Sequence, residues 1–141
     1  MKLLKKIDTL KQQFSSLTTK EALYQKIMEK GKTLPPFLEE WKQEENRVIG
    51  CQSLMYLYSC YEKDNVRFYA SSDALISAGL AALLVEIYSG EPPETILITP
   101  PTFLEELGIP AALTPGRANG LASLYLKMKQ EAIKYLIAAR P

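Results

Sequence analysis

Residues 52–70 read QSLMYLYSCYEKDNVRFYA, and this stretch sets the architecture of the chain. Up to residue 61 its side chains alternate between two largely apolar sets: Gln52, Leu54, Tyr56, Tyr58 and Cys60 against Ser53, Met55, Leu57, Ser59 and Tyr61. This tyrosine-rich alternation predicts a β-strand that is covered on both faces. The polar residues 62–65 predict a turn, and residues 66–70 predict the returning strand of an antiparallel hairpin.

The residues before this hairpin predict one more strand. Arg47 to Ile49 form a short segment that ends at Gly50, a residue at which the backbone turns freely. We therefore expect a small antiparallel sheet of about three strands, with Cys51 at the junction between two of them.

Helical patterns lie on both sides of the hairpin in the sequence. The N-terminal third has apolar residues at three-four spacing, beginning with Leu3, Leu4, Ile7, Leu10 and Phe14. Residues 74–85 are apolar almost throughout and predict a buried central helix, while Thr114-Pro115 predicts the start of the last helix. Helices, a small antiparallel sheet and further helices are typical of an α+β fold, here expected as one domain over residues 1–141.

Composition argues against several classes of protein. There are 17 Lys and Arg against 16 Asp and Glu, so the chain lacks the basic excess of a nucleic-acid-binding protein. The longest apolar run, residues 74–85, is about half of the ~20 residues that cross a bilayer. Charges interrupt residues 1–8, so we expect no signal peptide. We expect a cytoplasmic protein with no nucleic-acid or membrane partner, in which both cysteines are free thiols.

Cys51 is the first candidate for chemistry. It follows Gly50 and precedes the polar pair Gln52-Ser53, so a turn between extended segments can present its thiol to a partner. The chain has no histidine, which leaves thiol, carboxylate, amine or backbone chemistry. By composition and spacing, Cys51 is equally compatible with a reactive and a structural role. Cys60, between aromatic neighbours, is interpreted as a small buried apolar residue.

A reactive thiol needs a nearby positive charge, because only the thiolate is nucleophilic. Arg117 is the candidate, since it lies in the first turn of the last helix, where a cation opposes the helix dipole. That placement suggests an anionic partner such as the Cys51 sulfur. The alternative is an arginine that reaches solvent or a neighbouring carboxylate.

The sequence offers little to bind a cofactor or a metal. Two widely spaced cysteines without histidine cannot build a zinc or iron–sulfur site within one chain. Neither a glycine-rich phosphate loop nor a lysine in a cofactor-binding context is present. We expect no cofactor and no metal.

Four blocks of sequence carry a family resemblance. They are residues 46–53 (NRVIGCQS), residues 72–74 (SDA) followed by Gly79-Leu80, residues 103–108 (FLEELG) and residues 113–121 (LTPGRANGL). In this order the blocks resemble the SufE family of sulfur-acceptor proteins of iron–sulfur metabolism, with a SufE/IscU-like fold. Leu54, Tyr56, Gly116 and Thr33 depart from the residues that are usual in the family.

The resemblance implies a partner and activator of a pyridoxal-phosphate-dependent cysteine desulfurase of the SufS type, rather than a stand-alone enzyme. It implies that Cys51 accepts the persulfide sulfur, that Arg117 stabilises the thiolate, and that Gly50 and Gln52 shape the loop. The sulfur would pass on to an iron–sulfur scaffold complex. The alternatives are that the chain is itself an iron–sulfur scaffold, or a non-catalytic adaptor in which Cys51 is inert.

Overall fold

The computed structural model describes residues 2–138, so the ends of the expected domain, at residues 1 and 139–141, lie outside it. The described chain is α+β, as the sequence predicts. In order its elements are α1 (Lys2–Phe14), α2 (Lys20–Gly31), β1 (Met55–Glu62), β2 (Asn65–Ser72), α3 (Leu75–Tyr88), α4 (Pro93–Ile98), α5 (Thr102–Glu106), α6 (Ile109–Ala112) and α7 (Pro115–Ala138). Two single-turn 3₁₀ helices, Glu39–Trp41 and Glu44–Asn46, lie between α2 and β1. No helix within residues 2–138 has the length and apolar composition of a membrane span.

Strands β1 and β2 form the predicted antiparallel hairpin. Their register runs from Met55 opposite Ser72 to Glu62 opposite Asn65. The two turn residues, Lys63 and Asp64, both have positive φ, at 52° and 67°. Positive φ at both central positions matches the right-handed twist of paired strands, so the turn fixes this register.

The sheet has two strands, and the prediction of a third strand over residues 47–49 is wrong. Arg47 makes a single antiparallel bridge to Tyr56, and the Val48 N–H donates to the Met55 carbonyl at 2.9 Å. Pairing stops there because the chain turns at Gly50, whose φ of +90° is incompatible with an extended strand. The short predicted strand is therefore reduced to one bridge that closes the base of a loop.

Both faces of the hairpin are covered, which explains why both alternating sets are apolar. The inner face is fully buried in the core through Met55, Leu57, Val66, Phe68 and Ala70. On the outer face, Trp41 stacks on Tyr58 with ring centroids 4.2 Å apart and contacts Tyr69 at 5.0 Å. The segment before β1 thus shields the second face with aromatic rings.

Helix α3 is the buried central helix that the apolar run predicts, and it begins and ends close to the predicted bounds. A Cβ built at Gly79 would lie 2.0 Å from the backbone oxygen of Ile27 in α2. The backbones of α2 and α3 therefore pack at a distance that only glycine allows.

The polar ends of two tyrosines connect the last helices to the core. The Tyr88 hydroxyl donates to the Thr99 carbonyl at 2.6 Å, and the Tyr125 hydroxyl donates to the Ile96 carbonyl at 3.0 Å. Helix α7 buries Leu124 and Met128 completely on the same core. These contacts fix the position of α7, and its N-terminal half lies against the loop that carries Cys51.

Candidate functional site

Residues 49–54 form the connection between the Arg47 bridge and β1, and we call this segment the Cys51 loop. At its base the Val48 N–H donates to the Met55 carbonyl. Near its end, the Leu54 N–H donates to a carboxylate oxygen of Asp73, and the Asp73 N–H donates to the Leu54 carbonyl, both at 3.2 Å. The Ser53 and Ser77 hydroxyls are hydrogen-bonded at 3.1 Å. The loop is therefore fastened at its base and to the N-terminal end of α3.

The middle of the Cys51 loop lies along α7. A Cβ built at Gly116 would meet the Gln52 side-chain amide carbon at 2.2 Å, and one built at Gly120 would lie 3.0 Å from Cys51 Sγ. A Cβ at Gly50 would lie 2.7 Å from the Ser123 hydroxyl oxygen. Positions 116, 120 and 123 share one face of a helix. The loop thus runs antiparallel to α7 across a face made of two glycines and a serine.

Cys51 itself is half-buried and packs against the hydrophobic core, next to an exposed Gly50. Its thiol is free, and so is that of Cys60. Cys60 lies in β1 opposite Arg67, and it is half-buried rather than buried. Burial, reinforced by Glu62 and opposed by Arg67, raises the pKa of the Cys60 thiol, which disfavours its thiolate.

Arg117 lies in the first turn of α7 and is half-buried. Its backbone N–H donates to the Thr114 hydroxyl at 3.4 Å, so Thr114 caps the helix as the sequence predicts. Among the ion pairs of residues 2–138, none involves its guanidinium. Residues three apart on a helix are neighbours, at ~5–6 Å between Cβ positions. Arg117 is therefore one step along α7 from Gly120, the residue that contacts the Cys51 sulfur.

Exposed apolar side chains lie within the Cys51 loop and at the start of α3. Ile49, Leu54 and Leu75 expose 71%, 42% and 69% of their surface. Beside Ile49 a cavity of about 250 Å³ is lined by Arg47, Ile49, Ser123, Leu126, Lys127 and Gln130. Exposed apolar side chains on a loop that carries a thiol, with cations beside Ile49, are a composition expected of a protein-binding surface.

The sequence predicts Gly50, Cys51, Gln52 and Arg117 as site residues. The fold places the first three against one face of α7 and Arg117 on the adjacent turn of that helix. The sequence does not predict the role of Asp73, whose carboxylate accepts a hydrogen bond from the Cys51 loop in addition to lying at the start of α3. The sequence analysis did not predict that the middle of the Cys51 loop packs against α7. The sequence nevertheless contains a signal for this contact. Gly116, Gly120 and Ser123 are small residues at four- and three-residue spacing, which places them on one face of a helix that another segment can approach closely.

Within the described residues, no three His, Cys, Asp or Glu side chains converge in a group that could hold a metal ion. The contacts of Cys51 are instead with the glycine face of α7 and with the core.

A two-stranded hairpin packed among helices, with a thiol on a glycine turn beside the last helix, defines a small α+β domain that presents one loop cysteine. The model of the SufE family, described as an Fe-S metabolism associated domain, matches residues 8–132. The chain belongs to the SufE family.

Several relatives are similar over most of this chain. It is 36% identical over 91% of its length to the chloroplastic/mitochondrial SufE-like protein 1 of Arabidopsis thaliana, of which it spans about a third (35%). It is 33% identical to the cysteine desulfuration protein SufE of Wigglesworthia glossinidia brevipalpis, over 96% of this chain and 95% of that one. It is 31% identical to the sulfur acceptor protein CsdE of Escherichia coli, over 83% and 81% of the two chains.

A solved structure has the same fold. The solution structure of a hypothetical protein from Thermus thermophilus superimposes with a TM-score of 0.78 at 29% identity, over 94% of this chain and 96% of that one. The α+β architecture is therefore shared by a measured structure.

Proposed function

We propose that this protein is a sulfur acceptor of iron–sulfur metabolism, which takes sulfur from a cysteine desulfurase onto Cys51. The observation that carries the proposal is the setting of that thiol: it lies beside a glycine turn, in a loop that is fastened at its base and to α3 and that exposes Ile49 and Leu54. Family membership and the names of the Wigglesworthia and Escherichia relatives support the same role.

The transfer step is a thiol–persulfide exchange. The Cys51 thiolate attacks the outer sulfur of a persulfide on the desulfurase, and a new sulfur–sulfur bond forms on Cys51. The bond between the two sulfurs of the desulfurase breaks, and its electron pair leaves with the desulfurase thiolate. No external oxidant or reductant is needed, and the rate depends on thiolate fraction and access, as in disulfide exchange.

Arg117 is the proposed stabiliser of the attacking thiolate. Its position next to Gly120 on α7, together with the absence of an ion pair within residues 2–138, supports a guanidinium that is available to a sulfur anion. The N-terminal end of α7 adds partial positive charge at the same place. Gly50 and Gln52 shape the loop that presents the thiol.

The proposed partner is a pyridoxal-phosphate-dependent cysteine desulfurase of the SufS type, which the protein also activates by removing its persulfide. The exposed apolar side chains of Ile49 and Leu54 in the Cys51 loop, and of Leu75 at the start of α3, support docking of a protein partner on this side of the molecule. The proposed destination of the sulfur is an iron–sulfur scaffold complex. The proposed compartment is the cytoplasm, where thiols are kept reduced.

The test is transfer from a desulfurase supplied with pyridoxal phosphate and free cysteine. Intact-mass analysis should show one added sulfur atom on the wild type and on Cys60→Ser, and none on Cys51→Ser. Cys60→Ser is the matched control, because both substitutions remove a half-buried thiol. Sulfur on Cys60, or no sulfur on either variant, would contradict the proposal and favour a non-catalytic adaptor.

The same variants separate the acceptor from a scaffold. A scaffold needs several ligands that converge, and the second thiol lies in β1, opposite Arg67, outside the Cys51 loop. After anaerobic incubation with ferric iron, sulfide and a thiol reductant, we expect no visible absorption from a bound cluster. A cluster that is lost in Cys51→Ser would instead assign the scaffold role.

A further inference from the structure

The Cys51 sulfur occupies a position that exists because residue 120 has no side chain. A Cβ built at Gly120 would lie 3.0 Å from Cys51 Sγ and 3.6 Å from its Cα. Non-bonded carbon atoms reach their optimal separation at ~3.5–4.0 Å, and sulfur is larger than carbon. Gly120 is buried within a helix of 24 residues, where glycine costs ~1 kcal/mol relative to alanine. Helix stability thus disfavours glycine here, whereas the sulfur requires it.

We propose that Gly120 is a positioning residue that holds the Cys51 sulfur against the backbone of α7. We call the contact of the Cys51 sulfur with Gly120 the seat. The residues on either side of Cys51 also lie against α7: the Gln52 side chain lies beside Gly116, and Gly50 lies beside Ser123. Three successive loop residues are therefore placed along one helix face. Cys51 is half-buried while Gly50 and Gln52 remain exposed.

The seat also decides which sulfur of a loaded Cys51 can be attacked, a step that rests on the proposed acceptor function. In a persulfide the inner atom is Cys51 Sγ. A thiolate that attacks it must approach opposite the outer sulfur, forms a mixed disulfide with Cys51, and releases hydrosulfide. A thiolate that attacks the outer sulfur takes that atom and releases the Cys51 thiolate. Because Gly120 closes one side of Sγ, the proposal places the outer sulfur on the side away from α7. The line of attack on Sγ, opposite the sulfur–sulfur bond, then runs through the helix, which leaves attack on the outer sulfur as the open path.

Gly120→Ala tests the seat, and Gly116→Ala is its matched control. Both replace a glycine of α7 with a better helix former, but a Cβ at residue 116 meets the flexible end of the exposed Gln52 side chain. In the reduced protein, iodoacetamide should label Cys51 about threefold faster or more in Gly120→Ala, because its sulfur is displaced from the helix. Gly116→Ala should raise the labelling rate of Cys51 less than Gly120→Ala does, because its Cβ displaces only the end of the Gln52 side chain. Equal increases in the two variants would overturn the specific role of Gly120.

Cys60 reports general loosening in the same samples, since it lies in β1 opposite Arg67 and outside the Cys51 loop. Equal labelling of Cys51 in Gly120→Ala and the wild type, or a parallel increase at Cys60, would overturn the positioning role. An unchanged Cys60 rate with a faster Cys51 rate supports it.

The direction of attack is measured in the Cys60→Ser background after loading with sodium polysulfide, which bypasses the desulfurase. After one equivalent of 2-mercaptoethanol, intact mass should show mostly free Cys51 when residue 120 is glycine. When Gly120→Ala is added, a larger fraction of the protein should carry a mixed disulfide between Cys51 and 2-mercaptoethanol. Equal shares would overturn the proposed shielding while leaving the acceptor function standing. Failure of desulfurase transfer onto Cys51 would refute that function and leave the positioning result unaffected.

Discussion

Arg117 and the N-terminal end of α7 place positive charge about one helical turn before Gly120, the residue that contacts the Cys51 sulfur. A cation at this end of a helix is unfavourable for the helix alone, so a compensating anion is expected. Under the proposed function that anion is the Cys51 thiolate and the charge that develops on sulfur during exchange. The guanidinium can also donate hydrogen bonds to that charge.

Arg117→Ala should slow iodoacetamide labelling of Cys51 near neutral pH by about two- to fivefold, the factor expected from a half-exposed charge pair. Arg117→Lys should restore part of the rate, because lysine keeps the charge but loses the planar fork. Lys127→Ala is the matched control, since Lys127 is also a cation on α7 but donates to the Glu45 carbonyl at 2.8 Å. An unaltered rate in Arg117→Ala, with an unaltered melting temperature, would make the arginine structural.

At the scale of elements, α2 and α3 are joined by a very close approach of their backbones. A Cβ built at Gly79 would lie 2.0 Å from the backbone oxygen of Ile27. A Cβ built at Gly31 would lie 3.0 Å from the backbone nitrogen of Gly79. Helix α3 also supplies Ser77 to the Cys51 loop, and Asp73 lies just before its start. The packing of α2 on α3 therefore positions part of the functional loop.

Gly79→Ala should destabilise the protein by about 2 kcal/mol net, because the overlap with backbone outweighs the ~1 kcal/mol gained in helix propensity. Urea unfolding should show a lower midpoint with an unchanged slope. Gly116→Ala serves as the control, since its Cβ meets a movable side-chain end. A Gly79→Ala protein as stable as the wild type would show that α2 and α3 can separate at little cost.

At the scale of the whole molecule, two buried tyrosines make stability depend on alkaline pH. Burial, followed by the proximity of Tyr125, raises the pKa of Tyr88 well above its ordinary value, and burial also raises the pKa of Tyr125. The folded state therefore holds protons that the unfolded state loses above about pH 10. Stability from these groups is fully present below pH 10 and falls as the pH rises beyond it.

Tyr88→Phe should flatten that alkaline loss by about 1.4 kcal/mol per pH unit above pH 10, the contribution of one proton. At neutral pH the variant should be about 1 kcal/mol less stable, because the hydrogen bond to the Thr99 carbonyl is lost. Tyr69→Phe is the control, since its hydroxyl bonds to no residue in the described part of the chain. Urea unfolding at several pH values measures both effects, and parallel curves for Tyr88→Phe and the wild type would refute the prediction.

The sequence by itself determined the parts of this protein that depend on local patterns. Alternation over residues 52–61 and the polar turn at 62–65 specified the hairpin, since a period of two and a turn are short-range properties. The apolar run at 74–85 specified α3, because a helix without a polar face has to be buried. Gly50 before Cys51 marked the thiol as a candidate for the same local reason.

Tertiary structure decided what those segments meet. The predicted third strand does not form, because Gly50 turns the chain after one bridge. The Cys51 loop instead contacts Asp73, next to the start of α3, and the glycine face of α7. Periodicity states which face of a segment is buried, but it does not state against which distant segment that face packs. Gly120 and Cys51 are far apart in sequence. Their contact therefore depends on the packing of α7 onto the core through Leu124 and Met128.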